Sequence, residues 1–135
     1  RGKVAGERDL LKMLVDLKPS LLPGEFVFCS MPGAGYGDFA DLSPLASVQE
    51  SEGLSLVLPR EAADRAGLGY ESAHRCISLG VHSSLEAVGL TAAIAGRLTE
   101  RGISANVIAG CFHDHLLVPV ERVDDALAVL APVAS

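Results

Sequence analysis

Hydrophobic residues recur along this chain with two different periods, and the switches between them mark out its elements. Ala87, Leu90, Ile94 and Leu98 return every three or four residues and predict the buried stripe of a helix over 83–101. Ser83 stands three residues before Glu86, the spacing at which a hydroxyl caps an amide while the carboxylate reaches back. Gly102 then supplies a left-handed residue, and Ile103 behind it can close on Leu98, so the helix is predicted to stop there. The opposite face carries Gly89, Ala92, Ala93 and Gly96. An interior glycine costs about 0.5 to 1 kcal/mol relative to alanine, so two on one stripe predict the close approach of a second helix, a second subunit or a ligand.

Period two governs most of the remainder. Residues 25–31 (EFVFCSM) predict a strand, as do 73–81, with Ile77, Leu79 and Val81 on one side. Residues 103–110 alternate cleanly, placing Ile103, Ala105, Val107 and Ala109 on the core side, and HLLVPV is the expected hairpin partner, ending or edging at Pro119. A second hairpin is expected from 45–50 and 54–58 around Ser51, Glu52 and Gly53. Leu10, Leu14 and Leu17 mark a first helix ended by Lys18 and Pro19. Pro59 opens a short helix stopped at Gly67. Val123, Ala126, Leu127 and Leu130 form the last helix, with Glu121, Asp124 and Asp125 near its positive end. Pro32 to Ser43 is the only long loop by composition.

The order of elements predicts an α+β chain of two ferredoxin-like (βαββαβ) units, residues 1–70 and 71–135, each an antiparallel sheet with helices on one face. Neither half has four strands and two helices in standard order by itself, so strands near 70–82 are expected to be shared or exchanged.

Composition narrows the function classes. The chain has 135 residues, enough for one compact domain or two small ones sharing a core. Although 49% of residues are hydrophobic, no apolar run approaches the roughly 18 residues of a membrane span. The formal charge is −6 and the 11 basic residues are scattered, which argues against nucleic acid as a partner. Three cysteines without a CxxC fit a reducing compartment. No secretory signal pattern stands at the start, and a chain beginning at Arg1 is read as cut from a longer one; the cytoplasm is the expected location.

Several residues invite chemistry. The free amides near Ser84, Leu85 and Glu86 at the expected helix start can receive a carboxylate, with hydroxyls from Ser83 and Ser84 and space at Gly89. Asn106 and Ile108 point away from the core stripe and offer an amide and an apolar wall. His113 and His115 would share one side of a strand, and His82 would be a third nitrogen, but a bare HxH without a spaced ligand set does not specify a metal site, and none is expected. His82 beside Ser83 cannot act as its base on a strand, where neighbours point to opposite faces; Cys111 near His113 is a candidate thiol pair, against which stands the simpler reading of an unactivated, buried cysteine. GAGYG follows a strand but opens no helix, so it is read as a surface loop that could cover a pocket, with Asp38 and Asp41 as its polar candidates.

EFVFCSMPG, EGLSLVLPREAADRAGL and ISLGVHSSLEAVGLTAAIAGRLTERGISANVIAGCFHDHLLVPVERVDDALAVL together resemble a family of small bacterial tandem ACT-domain proteins over nearly the whole chain. The resemblance implies a ferredoxin-like module that binds amino acids or similar small effectors at a domain or subunit interface, against the loop Val81 to Gly89, which includes His82. It implies a non-enzymatic regulatory protein without a cofactor, working as a homodimer. Two alternatives stand beside it: a small metal- or thiol-dependent enzyme using His82, His113, His115 and Cys111, and an oligomerisation module whose glycine-rich helix face only assembles.

Overall fold

The computed structural model describes residues 17–80 and 89–131, and the chain divides into two compact units. One is Pro23–Arg75; the other joins Arg1–Leu22 to Cys76–Ser135.

In the Pro23–Arg75 unit, strand β2 (Phe26–Pro32) and strand β3 (Ala46–Glu50) lie antiparallel on either side of β4 (Gly53–Pro59). Alternation decides which side chains are buried. Val27 and Cys29 from β2, and Leu54, Leu56 and Leu58 from β4, point to one side and close over Ala63 of helix α1 (Arg60–Arg65). The hairpin turn between β3 and β4 requires glycine at Gly53, where φ is 146° and an added Cβ would run into Met31 O and lie 2.7 Å from Gly33 N. Helix α1 begins directly after Pro59, with Arg60 N–H donating to Glu25 O at 2.9 Å. It stops as the sequence predicts: Gly67 has φ 70°, and the Gly67 and Leu68 amides donate back to Asp64 O and Ala63 O at 3.1 and 2.9 Å. The loop after β2 is folded on itself, with Phe39 and Leu42 packed on the core around a short 3-10 turn, Ala40–Leu42.

Strand β5 (Ala73–Leu79) runs from one unit into the other. Its first residues pair with β2, His74 opposite Phe26 and Ala73 opposite Val27. Its last residues, in the second unit, pair antiparallel with β1 (Pro19–Leu21). The short strand β1 is not apparent in the sequence, where Pro19 reads as a helix stop; a proline is acceptable as the first residue of a strand. The other helix-ending residue, Lys18, has a left-handed φ of 46° and Leu17 is buried, while Leu10 and Leu14 lie outside the described residues.

The second unit continues with helix α2 (Leu90–Glu100), strands β6 (Asn106–Ala109) and β7 (Asp114–Pro119), and helix α3 (Val123–Leu130). Leu90, Ile94 and Leu98 of α2 join Ala126 and Leu130 of α3, and these close with Leu17, Ile77, Leu79, Ile103, Leu116 and Val118 into one core. The helices therefore cover one face of the sheet. The predicted stop at the end of α2 is present in full: Gly102 has φ 69°, its amide donates to Thr99 O at 2.9 Å, and Ile103 N–H donates to Leu98 O at 3.0 Å.

Three expectations need correction. Gly89 is not inside a helix: it is the N-cap of α2, with φ 92° and ψ −14°, and a left-handed residue there breaks any right-handed helix running through it. Ile103 is buried by capping the helix and not as a strand residue, so β6 is four residues long, and Ala109 is exposed. Third, the small-residue face of α2 does not meet another helix of this chain among the described residues. Ala92 and Gly96 are exposed, and a Cβ added to Gly96 would meet nothing within 4 Å.

Candidate functional site

The expected effector loop falls largely outside the described residues: His82, Ser83, Ser84, Leu85 and Glu86 are all there. What is described is the point at which it enters α2. Gly89 has no side chain to cap the helix, and the first intrahelical bond is Ala93 N–H to Gly89 O at 2.9 Å. The amides of the first turn, from Leu90 to Ala92, thus have no intrahelical acceptor. A helix start of this kind favours an anion, here at Leu90–Ala92; Ser84–Glu86, where the sequence reading expects the carboxylate, lie outside the described residues.

Asn106 and Ile108 lie on the sheet face away from the helices, as expected from their alternation with Val107, which packs on the core. Across the ladder Asn106 faces Leu117 and Ile108 faces His115. His115 continues the row: its Nδ1 lies 2.6 Å from the Ser78 hydroxyl of β5. Ile108, His115 and Ser78 therefore form a band across β6, β7 and β5. Ser78 belongs to no motif in the sequence, although its polar position between Ile77 and Leu79 places it on this face.

His113, in the turn before β7, reaches the same strand, with Nδ1 3.1 Å from Leu79 O. A carbonyl only accepts, so Nδ1 of His113 carries the proton and, in the neutral ring, Nε2 is bare. The two imidazoles lie 6.4 Å apart between ring centres. Burial, with the nearby His113, lowers the affinity of His115 for a proton, and Asp114 opposes them. Among the described residues no group of three or more His, Cys, Asp or Glu is placed to hold a metal ion. Of the three thiols, Cys29 and Cys76 are buried and burial raises both pKa values, while Cys111 is exposed. Buried thiols of this kind are poor nucleophiles.

ACT-domain models match residues 5–75 and again 71–132. The chain belongs to the ACT-domain family. This ACT protein is similar to a Vibrio cholerae protein of unknown function, described as a possible transport protein, with 46% identity, 96% of this chain and 99% of that chain covered, and a TM-score of 0.85. More distant likenesses show the fold alone. The regulatory subunit of aspartate kinase from Thermus flavus is 12% identical, with 83% and 94% of the chains covered and a TM-score of 0.56. E. coli aspartokinase III, solved with aspartate and ADP, is 13% identical over 83% of this chain and 32% of its own, with a TM-score of 0.61. No curated protein matches the sequence.

Proposed function

We propose that this ACT protein is a non-enzymatic regulatory module of the cytoplasm that binds a free amino acid, or a similar small carboxylate, at an interface between two copies of the chain. The observation that carries the reading is the start of α2. Gly89 makes no side-chain cap bond and the first turn carries no acidic side chain, and such an end favours a carboxylate by about 0.3 to 1 kcal/mol from the helix dipole, in addition to direct hydrogen bonds. Ser83 and Ser84 supply hydroxyls, His82, Leu85 and Glu86 complete the loop, and Asn106 and Ile108 select the side chain. Membership of the family supports an effector role.

Thr91 provides the test. It is exposed in the first turn of α2, where an aspartate improves the helix and repels a bound carboxylate. Titration calorimetry with the twenty amino acids should find one that binds the native chain and binds Thr91→Asp at least about tenfold more weakly, while the variant melts no lower than the native protein. Equal binding by the two proteins would place the carboxylate elsewhere.

A further inference from the structure

The loop between β2 and β3 builds a second site, independent of the α2 start. A cleft of about 330 Å³ opens between this loop and β3, lined by Tyr36, Asp38, Ala40, Pro44, Leu45 and Ser47 among others. That is near the lower end of the volumes of small-molecule sites, roughly 300 to 1,000 Å³. All of these residues belong to the Pro23–Arg75 unit.

The wall of the cleft is held in place. Asp38 Oδ2 accepts the Gly35 amide at 2.9 Å while Asp38 N–H donates to Gly35 O at 3.0 Å, closing a tight turn that displays Tyr36 at its tip. Gln49 of β3 donates to Ala34 O at 3.1 Å and to Gly53 O at 3.3 Å, tying the loop to the hairpin. Phe39 and Ser43 both take left-handed backbone, at φ 65° and 54°, and Phe39 is anchored on the core. Non-glycine residues keep that conformation only where their surroundings hold it. Despite this anchoring, Tyr36 is 84% exposed, so it contributes little to the core.

The lining chemistry selects one class of ligand. An aromatic face and a carboxylate whose turn bond uses only one oxygen are the two groups that attract an organic cation, the ring through its quadrupole and the carboxylate through charge. Among the described residues none of the lining is basic, and Pro44, Leu45 and Ala40 offer apolar surface for a short stem. A carboxylate ligand would be repelled by Asp38. Asp41, the other acidic residue of the loop, is exposed and does not line the cleft. We infer that the cleft between the glycine-rich loop and β3 binds a small organic cation, an ammonium or guanidinium group on a short apolar stem, recognised by the Tyr36 ring and the Asp38 carboxylate.

An NMR titration of the full chain with choline, with agmatine and with 3,3-dimethyl-1-butanol, the uncharged counterpart of choline, tests this. Choline or agmatine should shift amide signals within 35–47, and the neutral alcohol should not. Asp38→Asn keeps an oxygen for the Gly35 amide and removes the charge, so it should weaken the cation at least about tenfold, the scale of one lost charge-assisted contact; Tyr36→Ala, at an exposed ring, should weaken it as well. Both variants should retain the native spectrum outside the loop. Absence of shifts with both cations, an equal response to the alcohol, or undiminished binding by Asp38→Asn would overturn the assignment. The proposed carboxylate site at α2 belongs to the other unit and is tested separately by Thr91→Asp, so these outcomes leave that reading untouched.

Discussion

His115 shows how a single residue ties chemistry to stability. Its pKa is lowered by burial first and by His113 second, against the pull of Asp114. A histidine whose folded pKa lies below its ordinary 6.5 is neutral in the native state while the unfolded chain already takes up a proton. Its contribution is therefore complete above about pH 6.5 and is lost as pH falls through the depressed folded value. Melting temperature should drop between pH 7 and 5 more steeply in the native protein than in His115→Asn, whose side-chain amide can still meet Ser78 but does not titrate. Parallel curves would show that another group governs acid stability. In the sequence, HDH was legible only as a pair of histidines on a strand. That their Nδ1 atoms are engaged by Ser78 and Leu79 depends on pairing between β5 and β7, a long-range relation that local spacing does not encode.

At the scale of elements, the turn chemistry was the most legible part. Both glycine helix stops, Gly67 and Gly102, and the Gly53 hairpin were readable because each needs a backbone conformation that glycine adopts at least cost. The two kinds of site differ in what surrounds them, and this makes a prediction. Gly102→Ala meets open space and only a left-handed backbone, a cost of about 1 to 2 kcal/mol. Gly53→Ala drives a methyl group into the backbone of Met31 and Gly33 and should cost clearly more, or prevent folding. Urea denaturation of both variants checks the order, and a smaller loss at Gly53 would mean that the hairpin can rearrange. Less legible were the ends of α2 and β6. The apolar period from Ala87 to Leu98 continues through Gly89 as if the helix did. The left-handed φ of Gly89 overrides that period. Likewise Ile103 keeps strand alternation in the sequence but is buried as the apolar half of a helix stop.

For the whole molecule, the α+β fold was legible from the order of elements and from the family resemblance, whereas β1 was too short to leave a periodic signal. Among the described residues no helix is long and apolar enough to cross a membrane. The exposed small-residue face of α2 bears on assembly. A Cβ added at Gly96 meets nothing within 4 Å among the described residues, and leucine there should raise helix propensity by about 1 kcal/mol. If two copies meet through Ala92 and Gly96, Gly96→Leu should convert a dimer into a monomer with unchanged helical content, read by light scattering and circular dichroism. A native monomer, or a variant dimer of undiminished strength, would remove this face from the assembly.

The central claim, that the chain is an effector-binding module, is tested most directly by a thermal-shift screen of the native protein against the twenty amino acids. A ligand present at about a hundred times its dissociation constant stabilises the folded state by about 2.7 kcal/mol, which for 135 residues is a rise of several degrees in melting temperature. One amino acid, or a small group of chemically related ones, should produce that rise, and in Asp38→Asn, whose loop cleft has lost its charge, their decarboxylated amines should not. A flat response to all twenty at millimolar concentration, or an equal response of Asp38→Asn to the amines, would contradict the account.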